Sequence, residues 1–90
     1  MGEHMNPFDI IQYPLMTEKV MKGVEEENKV SFVVRRDATK KDIVWALNEL
    51  YGVDIVKINT LITLDGRKKA IVRLKEEGAA ESLATKLGML

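Results

Sequence analysis

Residues 53–75, VDIVKINTLITLDGRKKAIVRLK, determine the sheet of this protein. Two runs with many β-branched residues, Val53–Leu64 and Lys68–Lys75, lie on either side of the dipeptide Asp65-Gly66. Apolar and polar positions that alternate on both sides of a short glycine-containing loop are typical of a β-hairpin. The second run follows a period of two, so its strand has one face for the core and a second face that carries charge.

The length of the loop fixes which residues of the hairpin face each other. A two-residue turn at Asp65-Gly66 would pair Ile58 with Arg73, which mixes core and charged residues on one face. A slip of one residue moves every side chain of a strand to the opposite face. The two-residue turn therefore conflicts with the apolar pattern.

A three-residue loop, Leu64–Gly66 with Gly66 left-handed, removes this conflict. It pairs Ile58 with Val72 and Val56 with Leu74 on the apolar face. We prefer this register because it separates apolar from charged residues. The opposite face then carries a polar and largely basic set: Lys57, Asn59, Thr63, Lys69 and Arg73.

Three shorter patterns precede the hairpin. The run Asp9–Tyr13, stopped by a proline, suits an edge strand. Thr17 caps a helix that Gly23 weakens, and Glu25–Glu27 are expected in a solvated loop. Residues 28–36 alternate with a period of two, which predicts a half-buried strand.

Two further helices complete the element order. Thr39 and Asp42 resemble a capping box, apolar residues follow at helical spacing, and Gly52 ends the helix. Ala79–Leu87 predicts a closing helix. The order β-α-β-α-β-β-α indicates an α+β fold, a small antiparallel β-sheet with helices packed on one face, loosely ferredoxin-like.

Composition limits the class of protein. Ninety residues suffice for one domain, and the chain has no Cys, a single His (His4) and no apolar run long enough to cross a membrane. These absences argue against disulfides, thiolate metal sites and multi-histidine metal sites, and no phosphate-binding glycine motif or carboxylate pair suggests catalysis. We expect a cytoplasmic protein that is not an enzyme and needs no metal or cofactor.

A net charge of zero conceals an uneven distribution of charge. Fourteen Lys and Arg residues balance fourteen Asp and Glu residues, whereas nucleic-acid-binding domains usually carry a basic excess. Lys and Arg neutralise phosphates without reading bases, so a basic sheet face suits a polyanion. Taken alone, the other basic clusters are solvated surface. Together with the hairpin they form a candidate phosphate-contacting set: Arg35, Arg36, Lys40, Lys41, Lys57, Arg67, Lys68, Lys69 and Arg73.

Two aromatic residues have different interpretations. Phe32 shares a strand face with Val30 and Val34 and is expected in the core. Trp45 lies nearly opposite the apolar stripe of its helix. It either packs under a loop or neighbouring helix, or contacts a partner protein or RNA, because exposed Trp often anchors interfaces.

Several short motifs occur together in a fixed order. They are Tyr13-Pro14, Thr17-Glu18-Lys19, Asn28-Lys29-x-Ser31-Phe32-x-Val34, Ala38-x-Lys40-x-Asp42-Ile43-x-x-Ala46, Tyr51-x-Val53 and Ile58-Asn59-Thr60. This ordered set resembles the large-subunit ribosomal protein L23 family over residues 7–90. The short hairpin loop resembles the archaeal type of that family.

The resemblance implies a role in the ribosome. Members of the family bind large-subunit rRNA near the exit of the polypeptide tunnel, beside another small ribosomal protein. They also offer a docking surface for nascent-chain factors, which include the signal recognition particle. By position in the motifs, the resemblance assigns factor docking to Glu18 and RNA contacts to Lys19, Lys29, Lys40, Asn59 and Thr60.

Two further expectations concern the extent of the domain and the competing function. Residues 1–4 are interpreted as an appended or disordered start, and residues 5–90 as a single rRNA-binding domain. The alternative function is a ferredoxin-like module that binds protein or a small ligand and has no RNA role. The RNA-binding hypothesis requires Lys57, Lys69 and Arg73 on one accessible face, whereas the alternative does not.

Overall fold

The computed structural model describes residues 6–88, which form four helices and four strands. The strands build one antiparallel sheet in the order β1-β2-β4-β3. The predicted α+β fold is therefore confirmed, and the interpretation of residues 1–4 lies outside the described residues. The elements are α1 (Pro7–Ile10), β1 (Ile11–Pro14), α2 (Glu18–Glu27), β2 (Lys29–Val34), α3 (Lys40–Tyr51), β3 (Ile55–Ile62), β4 (Lys68–Leu74) and α4 (Ala79–Lys86).

One apolar core joins the sheet to the helices. Phe32 in β2 and Val72 in β4 are fully buried and belong to the same cluster as Ile43 and Leu47 of α3 and Leu83 of α4. The prediction that Phe32 is a core residue is confirmed. Burial of a side chain of this size contributes about 1.5–3 kcal/mol to folding, so this cluster is the main source of stability.

The local chemistry of α3 agrees with its sequence signals. The Thr39 hydroxyl accepts a hydrogen bond from the Asp42 N–H at 3.1 Å, and the Asp42 carboxylate accepts one from the Thr39 N–H at 3.0 Å. This is the predicted capping box. Gly52 ends the helix with a φ of 65°, a left-handed conformation that glycine adopts without steric cost.

The ends of two early elements differ from the predictions. Residues 25–27 form the last turn of α2 rather than a loop, because Asn28 adopts a left-handed conformation and closes the helix through its N–H on the Gly23 carbonyl. Asp9 and Ile10 belong to the short helix α1 rather than to a strand. Asn6 caps that helix by accepting a hydrogen bond from the Phe8 N–H at 2.9 Å.

Strand β2 is buried on both faces, which corrects the half-buried prediction. Ser31 and Val33 point to the face of β2 that Phe32 does not occupy, yet only 5% and 2% of their surfaces are accessible to solvent. The reason is that α2 packs over this face of β2.

The register of the hairpin is confirmed over most of its length. Ile58 pairs with Val72, and the Thr63 N–H donates to the Arg67 carbonyl at 2.8 Å to close the three-residue loop. Gly66 has the expected left-handed conformation, with a φ of 88°.

The predicted pairing of Val56 with Leu74 is wrong. The register shifts between Ile55 and Lys57, so Leu74 pairs with Ile55 instead. This irregularity is typical of a β-bulge, which leaves one residue unpaired and bends the strand. It turns Val56 out of the core, and 57% of that residue is exposed.

Asn28 connects three elements through one side chain. Its Nδ2 donates to the Leu74 carbonyl at 2.9 Å and to the Glu76 carbonyl at 2.6 Å, and its Oδ1 accepts from the Ala80 N–H at 2.9 Å. The residue therefore holds the end of α2 against the end of β4 and the start of α4. Its φ of 56° is one that Asn tolerates better than most residues.

We predict that Asn28→Gly lowers the free energy of unfolding by about 2–3 kcal/mol, because three hydrogen bonds are removed while the left-handed backbone is kept. Asn28→Ala should cost roughly 1 kcal/mol more, since alanine is strained at a positive φ. Urea unfolding of both variants checks this order. Equal stability of wild type and Asn28→Gly would show that the three hydrogen bonds do not matter.

Candidate nucleic-acid interface

The sheet face away from Phe32 and Val72 carries no acidic side chain within its paired strands. We call this surface the open face. Strand pairing arranges its residues in three rows across β2, β4 and β3: Lys29–Arg73–Lys57, Ser31–Ile71–Asn59 and Val33–Lys69–Leu61. The predicted basic residues Lys57, Lys69 and Arg73 therefore share one face.

Accessibility of the open face increases from β2 towards β3. Ser31 and Val33 are buried, whereas Lys57, Asn59 and Leu61 on β3 are exposed. A ligand would therefore reach β3 and β4 directly. It would meet β2 only along the side of α2.

A groove between α2 and the open face brings together lysines from three elements. Lys19 comes from α2, Lys29 from β2 and Lys69 from β4, and the groove has a volume of about 280 Å³. Ser31, the one buried polar residue within 6–88, also lines it. Glu27 is the only acidic residue of the lining and lies 3.9 Å from the Lys29 Nζ. The groove is therefore cationic overall.

A second group of predicted basic residues lies at the hairpin-loop end of the sheet, away from this groove. Arg35 pairs with Asp37 at 2.8 Å, and a side chain at Gly66 would lie 3.6 Å from the Arg36 guanidinium. The exposed residues Lys40 and Lys41 begin α3. We call the whole group the loop-end cluster: Arg35, Arg36, Lys40, Lys41, Arg67 and Lys68.

Besides Arg35, two further residues of the loop-end cluster have intramolecular partners. The Lys68 Nζ donates to the Ala38 carbonyl at 2.6 Å, so this side chain points away from the open face that its neighbour Lys69 occupies. Arg67 donates to the Asp65 carboxylate at 2.9 Å and to the Tyr13 hydroxyl at 2.6 Å. The structure thus separates Lys68 from Lys69, although they are adjacent in sequence, and it holds Arg67 between Asp65 and Tyr13.

The Asn59-Thr60 pair is divided between the two faces of β3. Asn59 is exposed on the open face beside Ile71, whereas Thr60 pairs with Ala70 on the face towards the helices and is half-buried. Only Asn59 is therefore placed to contact a ligand of the open face.

The ionisable groups of the hairpin loop influence each other. A hydrogen bond from the Thr63 hydroxyl, with the nearby Arg67 guanidinium, holds the pKa of the Asp65 carboxyl below its usual value. The hydrogen bond to Tyr13 and the charge of Asp65 raise the pKa of Arg67. This network keeps both groups charged and fixes the loop over β1.

Glu18 and Trp45 lie outside both basic surfaces. Glu18 is exposed in the first turn of α2, close in sequence to the exposed Met16. Trp45 is 39% exposed and lines a broad groove of about 550 Å³ with Val44, Asn48, Val53, Asp54, Ile55 and Lys75. Its indole is therefore only partly packed against the protein.

Sequence reasoning missed one contact of these surfaces. Tyr13 was expected as part of a strand and of a motif, yet its hydroxyl accepts a hydrogen bond from Arg67, which is 54 positions away. No local pattern indicated this contact. The period-two pattern, by contrast, correctly places Ile71 beside Asn59 and Leu61 beside Lys69, and both apolar residues line the lysine groove.

Within residues 6–88, no group of three or more His, Asp or Glu residues is arranged to hold a metal ion. Over the same range, no helix has the length and apolar character needed to cross a membrane.

Sequence comparison identifies the relatives of this chain. The family model described as Ribosomal protein L23 matches residues 9–81. The chain belongs to the ribosomal protein L23 family. It is 46% identical to the large ribosomal subunit protein uL23 of Methanococcus aeolicus over 85 residues, which cover 94% of this chain and 99% of the relative. The corresponding proteins of Methanococcus vannielii and Methanococcus maripaludis strain C7 are 45% and 47% identical over the same coverage.

Membership of the L23 family confirms the resemblance drawn from the ordered motifs, including its archaeal type. The chain is thus a structural constituent of the large ribosomal subunit and not an enzyme. The ferredoxin-like module without a ribosomal role is displaced by this finding.

We predict that Thr63→Val raises the pKa of Asp65 towards its ordinary value, because the hydroxyl that stabilises the carboxylate is removed. Thr63→Ser keeps the hydroxyl and should leave the pKa low. Carbon-13 NMR titration of the Asp65 carboxyl measures both. A carboxyl group with a lowered pKa stabilises the folded protein at pH values above its ordinary pKa, and this stabilisation is lost as the pH falls through the lowered value. The free energy of unfolding should therefore depend less on pH in the acid range in Thr63→Val, and as in wild type in Thr63→Ser. Identical pKa values in both variants would contradict the role of the hydroxyl.

Proposed function

We propose that this L23-family chain binds large-subunit rRNA through the open face and the adjoining lysine groove, near the exit of the polypeptide tunnel. The observation that carries the proposal is the arrangement of Lys29, Lys57, Lys69 and Arg73 on a sheet face whose strands contribute no carboxylate, with Glu27 of α2 beside Lys29. Of the thirteen residues expected from the sequence, Thr60 faces the helices, and the proposed RNA-contacting residues are the other twelve: Lys19, Lys29, Arg35, Arg36, Lys40, Lys41, Lys57, Asn59, Arg67, Lys68, Lys69 and Arg73.

The spacing of the cations supports contact with an RNA backbone. Lys29, Arg73 and Lys57 lie directly opposite one another on three adjacent strands. Such a row spans on the order of 10 Å, given a strand spacing of about 4.8 Å. The row can therefore neutralise more than one phosphate. The apolar surface of Ile71 and Leu61 between the cations suits contact with a sugar or the face of a base.

The loop-end cluster provides a second, weaker contact surface. Lys40 and Lys41 are exposed, but Arg35 and Arg67 each face a carboxylate, and Lys68 is bonded to the Ala38 carbonyl. A phosphate would have to share or displace these partners, which reduces the gain from each interaction. We therefore assign most of the affinity to the open face.

An acidic surface lies at the end of α2, apart from the strands of the open face, so a chain of zero net charge can still present cations to RNA. Glu25, Glu26, Glu27 and Glu77 line a groove of about 460 Å³ at the end of α2. Arg73 borders this groove and marks the boundary between the acidic surface and the open face. An RNA bound to the open face would thus be oriented by repulsion from one side.

We predict that Arg73→Glu weakens binding to a large-subunit rRNA fragment and lowers the slope of log affinity against log salt by about 0.7–0.9 for each phosphate that is no longer neutralised. Lys86→Glu is the matched control, because it places a glutamate on the exposed side of α4 with the same change in charge. Filter binding across a salt series measures both variants. Equal affinity and equal slope for the two variants would remove Arg73 from the interface.

The resemblance to the family also supports a role in factor docking. We place the docking surface for nascent-chain factors such as the signal recognition particle at the start of α2, around Glu18. The exposed carboxylate of Glu18 and the exposed side chain of Met16 offer a charge and an apolar contact on one short segment. Neither residue lies on the open face, so RNA and a factor could bind together.

Contact with a neighbouring small ribosomal protein is the proposed role of Trp45. Its half-exposed indole lies at the rim of the groove with Val44 and Asn48, on the outer side of α3. Tryptophan side chains of this kind contribute strongly to protein interfaces when they become buried.

We predict that Glu18→Ala reduces binding of purified signal recognition particle to the protein by about tenfold, because the removal of one charge-assisted hydrogen bond costs about 1.4 kcal/mol. The affinity for the rRNA fragment should not change. Glu81→Ala, an exposed glutamate in the first turn of α4, is the control. Loss of both activities would indicate a folding defect, and unchanged factor binding would exclude Glu18 from the docking surface.

A further inference from the structure

The two edges of the sheet differ in how they are protected. Strand β1 has four residues, ends in Pro14 and has an irregular register between Ile11 and Tyr13. Short length, proline and irregular pairing are the features that natural proteins use to prevent pairing with another chain. Strand β3 forms the opposite edge with eight residues, and it contains no proline. Strand β1 is therefore protected along its whole length, whereas β3 lacks these features after its bulge at residues 55–57.

The backbone groups of β3 that point to the free edge can be identified. The Thr63 N–H binds Arg67, and the Leu74 N–H binds Asn28 towards β2. Because antiparallel pairing alternates, odd-numbered residues of β4 bind β3, and the odd-numbered residues of β3 bind β4. The N–H and C=O groups of Ile58, Thr60 and Ile62 therefore face away from the sheet. This free ladder is regular, since the bulge lies before it at residues 55–57.

Apolar side chains accompany this free ladder. Val56, Leu61, Ile62 and Leu64 are all exposed, and Ile62 keeps 50% of its accessible surface. From Ile55 to Leu64 the single ionisable residue is Lys57. A long edge strand with apolar side chains and few charges is a template for strand addition.

We propose that the free edge of β3 pairs with an extended segment of another protein of the large ribosomal subunit. This segment would add a fifth strand beside Ile58–Ile62 and place apolar side chains over Ile62. The interaction is separate from the proposed RNA contacts, because it uses the outer backbone of β3 rather than the cations of the open face.

The size of the edge favours this occupant over a second copy of the chain. The ladder from Ile58 to Ile62 is on the order of 17 Å long at about 3.4 Å per residue. One strand pair of this length falls short of the roughly 1,200 Å² that stable, specific interfaces bury. A neighbour held in the same ribosomal subunit needs less area, because its segment is present at high effective concentration.

Photo-crosslinking tests the proposal. A photoreactive benzoylphenylalanine replaces Leu64, and the chain is reconstituted into large ribosomal subunits before irradiation. The expected product is an adduct to one segment of one other ribosomal protein. An adduct to rRNA alone, or to a second copy of the chain, would overturn the proposal.

A matched pair of variants tests strand pairing itself. Ile62→Pro removes an N–H that has no role inside the sheet, and Ile62→Val keeps that N–H with a similar side chain. The adduct from position 64 should fall at least fivefold in Ile62→Pro and persist in Ile62→Val. An equal yield in both variants would exclude pairing through this edge. Thermal unfolding of the free variants verifies that both retain the fold.

If Ile62→Pro does not fold, hydrogen exchange of the backbone amides tests strand pairing at β3 instead. In wild-type protein the N–H groups of Thr60 and Ile62 should exchange rapidly in the free chain, whereas that of Leu61 is protected by β4. In the large subunit, exchange of the Thr60 and Ile62 N–H groups should slow by at least tenfold. Continued rapid exchange of Thr60 and Ile62 in the subunit would overturn the proposal.

Discussion

The register of the β3–β4 hairpin places Val72 towards the helices and Lys69 and Arg73 away from them, and both halves of the structure depend on this alternation. A loop one residue shorter would exchange the two faces and bring charges into the core. The left-handed conformation of Gly66 allows the chain to form the three-residue loop, and the Thr63–Arg67 hydrogen bond closes that loop. A constraint on one loop thus separates the apolar core from the basic surface.

The elements that the sequence predicts well are those controlled by neighbouring residues. The capping box at Thr39 and the left-handed Gly52 act within one helical turn, and the structure contains both. The side chain of Asn28 acts on residues 46 to 52 positions away, so no local pattern could reveal it. The bulge at Val56 and the second buried face of β2 depend likewise on how the strands and α2 assemble.

The candidate site divides in the same way. Period-two alternation was sufficient to place Lys57, Lys69 and Arg73 on one face. The addition of Lys19 to this face required the position of α2 against β2, which no local pattern in the sequence specifies. Conversely, Lys68 is adjacent to Lys69 in sequence but lies on the other side of the sheet. Basic residues that are adjacent in a strand therefore point to opposite faces of the sheet, whereas residues that are distant in sequence can lie on the same surface.

The segregation of charge has a consequence for the protein before it enters a ribosome. The free molecule has a cationic sheet face and an acidic groove at the end of α2. With a pI near 6.6 it therefore has an electric dipole but a net charge close to zero at neutral pH. Long-range attraction to RNA is then weak, and orientation at short range determines capture. The same balance removes the mutual repulsion that keeps proteins dispersed, so colloidal stability is lowest near neutrality. Rapid incorporation into the subunit, rather than storage as free protein, is the condition that this charge pattern favours.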